Sequence, residues 1–178
     1  MANYLTISRI FLIFPILVLA SPEPNANNWI ALILFIIAGI TDHLDGYVAR
    51  KTGSTSSLGA LLDLVADKLL IIIAIFYLVS HASSLLIIIP SIVIIMREIV
   101  ISSFRQILAE KEGENLVKVS LLAKSKTTLQ IFALSLLIIS PNFGQHFFFL
   151  TIISFWLAAY ISLHSLYEYL KSYGNFIK

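Results

Sequence analysis

The chain has 178 residues, a formal net charge of +2 and a mean hydropathy of +0.93, with 58% apolar and only 12% charged residues. That charged share is about half of what a soluble domain carries, and the length has room for a single membrane domain over residues 1–178 with no soluble appendage. Cysteine is absent, which excludes disulfides and thiolate metal sites, and the few, dispersed basic residues exclude a nucleic-acid partner.

Apolar runs, several of about 20 residues, predict an all-α membrane protein of six transmembrane helices. The first spans about Thr6 to Ala20, with Met1 to Leu5 at the surface. Its apolar run follows Arg9 as a signal peptide's would, but cleavage near Ser21 would leave only more membrane helices, so a retained first helix is expected. Residues 21–28 form a polar loop whose Pro22 and Pro24 cannot continue a helix. The second span runs from about Trp29 to Lys51, and a turn of small polar residues leads to the third, about Leu58 to Val79. The fourth covers about Leu85 to Glu110 with a bend at Pro90. The fifth runs from about Leu121 to Ile139, and the sixth from about His146 to Tyr169. Trp29, Tyr167, Tyr169 and Tyr173 read as interfacial anchors, and Phe147 to Phe149 as a lipid-facing or packing run.

Six spans place all twelve Lys and Arg residues on one side, with Glu23, His81 and His146 in the opposite loops. The positive-inside rule then puts both termini in the cytoplasm. Lys111, Lys118, Lys171 and Lys178 serve this topology and attraction to lipid headgroups. A multi-pass protein of the bacterial inner (plasma) membrane is expected, with a polar cavity open to the cytoplasm.

Four carboxylates lie in this apolar setting, at Asp42, Asp45, Asp63 and Asp67. Each costs several kcal/mol in hydrocarbon, by the rough scale of insertion measurements, unless cations or water compensate. Asp42 and Asp45 are neighbours on one helix face, shared with Gly39, Gly46 and Ala49. Gly59, Asp63 and Asp67 form a second stripe, and a short turn sets the two helices antiparallel. Oxygen ligands without His or Cys favour magnesium, manganese or calcium. Two such ions can clamp a diphosphate. Salt bridges to Arg50, Lys51 and Lys68 would account for one or two of the acids but not four. Arg50 suits an anion contact beside a diphosphate. The four histidines show no ligand spacing.

These residues read D-x-x-D-G-x-x-A-R-x(8)-G-x-x-x-D-x-x-x-D from Asp42 to Asp67, and the segment resembles the CDP-alcohol phosphotransferases at every fixed position. The resemblance implies a six-helix membrane fold, a homodimer, and two divalent cations, Mg2+ or Mn2+, held by Asp42, Asp45, Asp63 and Asp67. It also implies nucleotide contacts from Gly46, Ala49, Arg50 and Gly59, with Asp67 as general base. Residues 3–9, which include Thr6 and Arg9 as candidate substrate contacts, resemble the phosphatidylglycerophosphate synthases of this family. So do Ala49-Arg-Lys51, residues 66–70, Arg97-Glu98 with Arg105, residues 124–127 and Gln130. His43 departs mildly from that subgroup, where the position is often aromatic and bulkier, and the last span carries no diagnostic residue.

The subgroup implies CDP-diacylglycerol and glycerol 3-phosphate as substrates. Arg97 and Arg105 stand eight apart on one predicted helix, on roughly one face, and Lys124 and Lys126 open the next span. All four are candidate ligands for the phosphate of the acceptor. Rival readings are a sister enzyme using serine, inositol phosphate or phosphatidylglycerol, an intramembrane prenyltransferase, and a cation pathway, which the short chain without a repeat disfavours.

Overall fold

Helices are the only regular secondary structure among the residues that the computed structural model describes, 2–52, 68–69, 71–75, 79, 84–112 and 121–173. We label them α1 (Ala2–Leu19), α2 (Asn27–Thr52), α3 (Leu85–Glu112), α4 (Leu121–Ile139) and α5 (Gln145–Tyr173). Residues 68–69, 71–75 and 79 are also helical and fall inside the third expected span.

Helix ends follow local chemistry. Helix α1 begins at Ala2 rather than near Thr6, because Asn3, Tyr4 and Leu5 include no residue that breaks a helix. Pro15 lies inside α1 and Pro90 inside α3, each removing one amide donor, yet both helices run on past them. The Ser84 carbonyl accepts from the amides of Ile87 and Ile88 to start α3. After α4, a 3-10 turn at Ser140–Asn142 carries Pro141, and the Phe143 amide closes it on the Ser140 carbonyl at 3.1 Å. Gly144 follows at φ 77°, a conformation that costs an ordinary L-residue roughly 1–2 kcal/mol. Its carbonyl accepts the Phe148 amide at 3.2 Å as α5 begins.

The chain packs as two compact units, residues 1–83 with 134–151 and residues 84–133 with 152–178. In the first, α1 packs against α2, and Ile13, Ile16, Ala31, Phe35 and Ala38 are buried. The loop before α2 is tied down by Asn28, which is fully buried. Its Oδ1 accepts the Ser21 amide at 2.7 Å, while its Nδ2 donates to the Glu23 carbonyl at 3.1 Å and to Asn142 Oδ1 at 2.7 Å. Asn142 Nδ2 donates in turn to the Asn25 carbonyl at 2.9 Å. Beside this tie Trp29 meets Phe143 edge-on at 5.8 Å, and Phe143 stacks on Phe147 at 4.7 Å. Phe147 therefore packs, while Phe149 is exposed. Asn28→Ala strands the Ser21 amide and leaves Asn142 Oδ1 only the long contact from the Asn25 amide at 3.4 Å, and should cost about 2 kcal/mol. A melt of the detergent-solubilised variant against Asn25→Ala, which keeps its backbone carbonyl, checks this.

The second unit shows the polarity of a lipid-exposed structure. On α3 the residues facing out include Ile89, Ile92, Met96 and Ile99, while Ser91 and Arg97 are buried with Ile87, Ile94 and Ile101. On α5, Ile153, Trp156, Leu157, Tyr160 and Leu163 are exposed, and Ser154, Ala158, Ser162 and Ser165 are buried. In water this arrangement would expose a large apolar surface; in lipid it leaves backbone and hydroxyl groups to pair within the protein. Among the described residues, Leu85–Phe104 and Gln145–Lys171 are long and apolar enough to cross a bilayer, and Asn27–Thr41 and Thr127–Asn142 are shorter apolar helices.

Candidate active site

Helix α2 carries the first half of the acidic signature on an unbroken helical backbone. Among the described residues of α2, Asn28, Ala31, Phe35, Ala38 and Gly39 are buried and recur at the helical period. Continued along the helix, that period puts positions 42, 45, 46 and 49 in the same register, so Asp42 and Asp45 sit one turn apart in line with the buried face. Ala31, Ala38 and Gly39 keep the face narrow, which permits close approach of another backbone.

Asp42, Asp45, Gly46, Ala49 and Arg50 are thus placed by backbone on α2, and Thr6 and Arg9 on α1. Arg105 lies on α3, and Lys124 and Lys126 in the first two turns of α4. Gly59, Asp63 and Asp67 lie outside the described residues, as do the side chains of all the others just named. Among the described residues no three His, Cys, Asp or Glu side chains gather at one point. The donor set itself, carboxylates without nitrogen or sulfur and two of them one turn apart on α2, fits hard divalent cations.

Arg97 is the one candidate ligand of the acceptor phosphate whose side chain is described. It is 2% exposed. Its Nε donates to the Ser162 carbonyl at 3.1 Å, its Nη2 to Ser165 Oγ at 2.9 Å and its Nη1 to Glu98 Oε1 at 2.9 Å. The last contact is an ion pair between sequence neighbours. Gln130 of α4 joins the group, with Nε2 donating to Ser162 Oγ at 3.2 Å and lying 3.4 Å from Glu98 Oε1. Gln130 Oε1 is buried with no partner among the described residues. A buried guanidinium at mid-helix costs about 2.5–3.5 kcal/mol on insertion scales. The Glu98 carboxylate and two α5 oxygens offset that cost here.

Two partners of this network, Ser162 and Ser165, escaped the sequence reading, which found nothing diagnostic in the last span. Their signal is a seam of small side chains, Thr151, Ser154, Ala158, Ser162 and Ser165, repeating every three or four residues through an apolar helix. Such a seam marks the face on which neighbouring helices pack.

The family model described as CDP-alcohol phosphatidyltransferase matches residues 1–164. A Haemophilus influenzae protein named CDP-diacylglycerol–glycerol-3-phosphate 3-phosphatidyltransferase is 39% identical over 169 residues, 94% of this chain and 90% of its own. A Rickettsia felis protein of the same name is 40% identical over 174 residues, 96% of this chain and 93% of its own. One from Wigglesworthia glossinidia brevipalpis reaches 43% over 131 residues, 73% of this chain and 71% of its own. With a helical, lipid-facing body and the first half of the acidic signature on α2, the chain belongs to the CDP-alcohol phosphatidyltransferase family of enzymes.

Proposed function

We propose that the enzyme transfers the phosphatidyl group of CDP-diacylglycerol to glycerol 3-phosphate, giving phosphatidylglycerophosphate and CMP. The observation that carries this reading is near-full-length likeness to relatives named for that reaction. The cations at Arg105, Lys124 and Lys126 support it, since an acceptor that bears its own phosphate needs them and serine does not.

Asp42, Asp45, Asp63 and Asp67 would hold two divalent cations, Mg2+ or Mn2+, which when bound supply charge neutralisation at the diphosphate. Gly46, Ala49 and Gly59 let the nucleotide come close to the backbone, and Arg50 contacts an anionic oxygen. Asp67 takes the proton of the acceptor's 1-hydroxyl. That oxygen then attacks the β-phosphorus, the bond from this phosphorus to the bridging oxygen breaks, and CMP departs with the bridging oxygen. Holding both substrates in line supplies much of the rate. Thr6 and Arg9 add substrate contacts from α1. We place the site in a single domain of six spans, on the cytoplasmic side of a bacterial inner membrane, with both termini cytoplasmic and two chains forming a homodimer. The lipid substrate enters sideways from the bilayer.

Purified protein given radiolabelled CDP-diacylglycerol with glycerol 3-phosphate, serine, inositol phosphate or phosphatidylglycerol in turn tests the reading. Labelled product and CMP are expected with glycerol 3-phosphate. Equal or faster product formation with another acceptor moves the enzyme to a sister activity. Release of inorganic diphosphate instead of CMP, or ion flux without transfer, removes the reaction class.

A further inference from the structure

We infer that Arg97 and Glu98 form a charge-balanced clamp that fastens α3 to α5, and that Arg97 is not a ligand of the acceptor's phosphate. The inference rests on the proposed acceptor only for its kinetic arm. Three observations carry it. The guanidinium spends nitrogens in three directions, on Ser162 and Ser165 of α5 and on Glu98. A planar fork can serve such divergent acceptors, and a lysine ammonium cannot reproduce it. The side chain is also only 2% exposed, against α5 rather than toward solvent.

The third observation is depth and charge. Arg97 lies about 18 Å along the axis from Leu85, inside the apolar stretch Leu85–Phe104. A phosphate ligand at that depth would stand as a bare cation whenever the substrate was absent. Here the adjacent carboxylate, 2.9 Å from the guanidinium, supplies the opposite charge from within the same helix. Residues one apart on a helix do not ordinarily face each other, so the Arg97 side chain turns along the helix to reach Glu98 while keeping its α5 contacts. Gln130 holds Glu98 from the α4 side and Ser162 from its own amide, which draws three helices into one polar knot within this unit.

Breaking one charge of such a pair strands the other, whereas exchanging both for apolar side chains of similar volume is often neutral or stabilising. The test uses the full chain in detergent micelles, with melting temperature and the KM for glycerol 3-phosphate as readouts. Glu98→Leu should lower the melting temperature by about 5 °C or more. The double variant Arg97→Met with Glu98→Leu should regain at least half of that loss, and its KM for glycerol 3-phosphate should stay within about threefold of wild type. Arg97→Lys should melt low despite keeping its charge. A double variant that melts normally with KM raised tenfold or more would overturn the inference, as would a double variant no more stable than Glu98→Leu. If wild type makes no product from glycerol 3-phosphate, the acceptor assignment fails while the melting arms still decide the clamp.

Discussion

Asp67→Asn should reduce CMP release by about 10³-fold or more, within the range that a positioned general base contributes, while CDP-diacylglycerol binding persists. Asparagine keeps the shape and one carbonyl oxygen of aspartate but cannot accept the hydroxyl proton. The loss should therefore fall on kcat, with a smaller effect on KM for the nucleotide lipid. Single-turnover CMP release, beside equilibrium binding of the labelled lipid, separates the two. Undiminished turnover would take Asp67 out of the proposed mechanism; loss of binding alone would leave it a ligand and not a base.

Removal of divalent cations should have an effect at least as large. Incubation with a chelator is expected to stop transfer, and added Mg2+ or Mn2+ to restore it, because a carboxylate-only donor set binds hard cations. Asp42→Ala should shift the Mg2+ concentration needed for half-maximal rate upward, since two aspartates one turn apart on α2 would no longer act together. Transfer that survives exhaustive chelation would refute the arrangement of the four aspartates around two cations.

Much of this molecule is legible in its sequence because lipid imposes simple demands. Apolar runs punctuated by Pro22, Pro24, Pro141 and Gly144 give helix limits that the structure reproduces closely for α2 to α5. The acidic signature needs no fold to be read, since spacing along a helix already lines up Asp42 with Asp45. Less legible is what a buried cation is for. The resemblance groups Arg97 with Arg105, and only three dimensions reveal that Ser162 and Ser165, far along the chain, meet its guanidinium. Likewise Asn28 and Asn142 are ordinary loop residues in sequence, and their 2.7 Å contact is a product of packing. Periodicity marks the seam on which Ser162 and Ser165 lie, but it does not name the distant polar group that each one meets.

The inside-out character of α5 bears on how this enzyme can drift over evolutionary time. Ile153, Trp156, Leu157 and Leu163 turn about half of their surface outward, so exchange among greasy residues of similar size there should cost little. Ala158 and Ser162 are wholly enclosed, and a single added branch at either would wedge the bundle apart. Divergence among homologues should accordingly be striped, fast along one meridian of the helix and slow along the other.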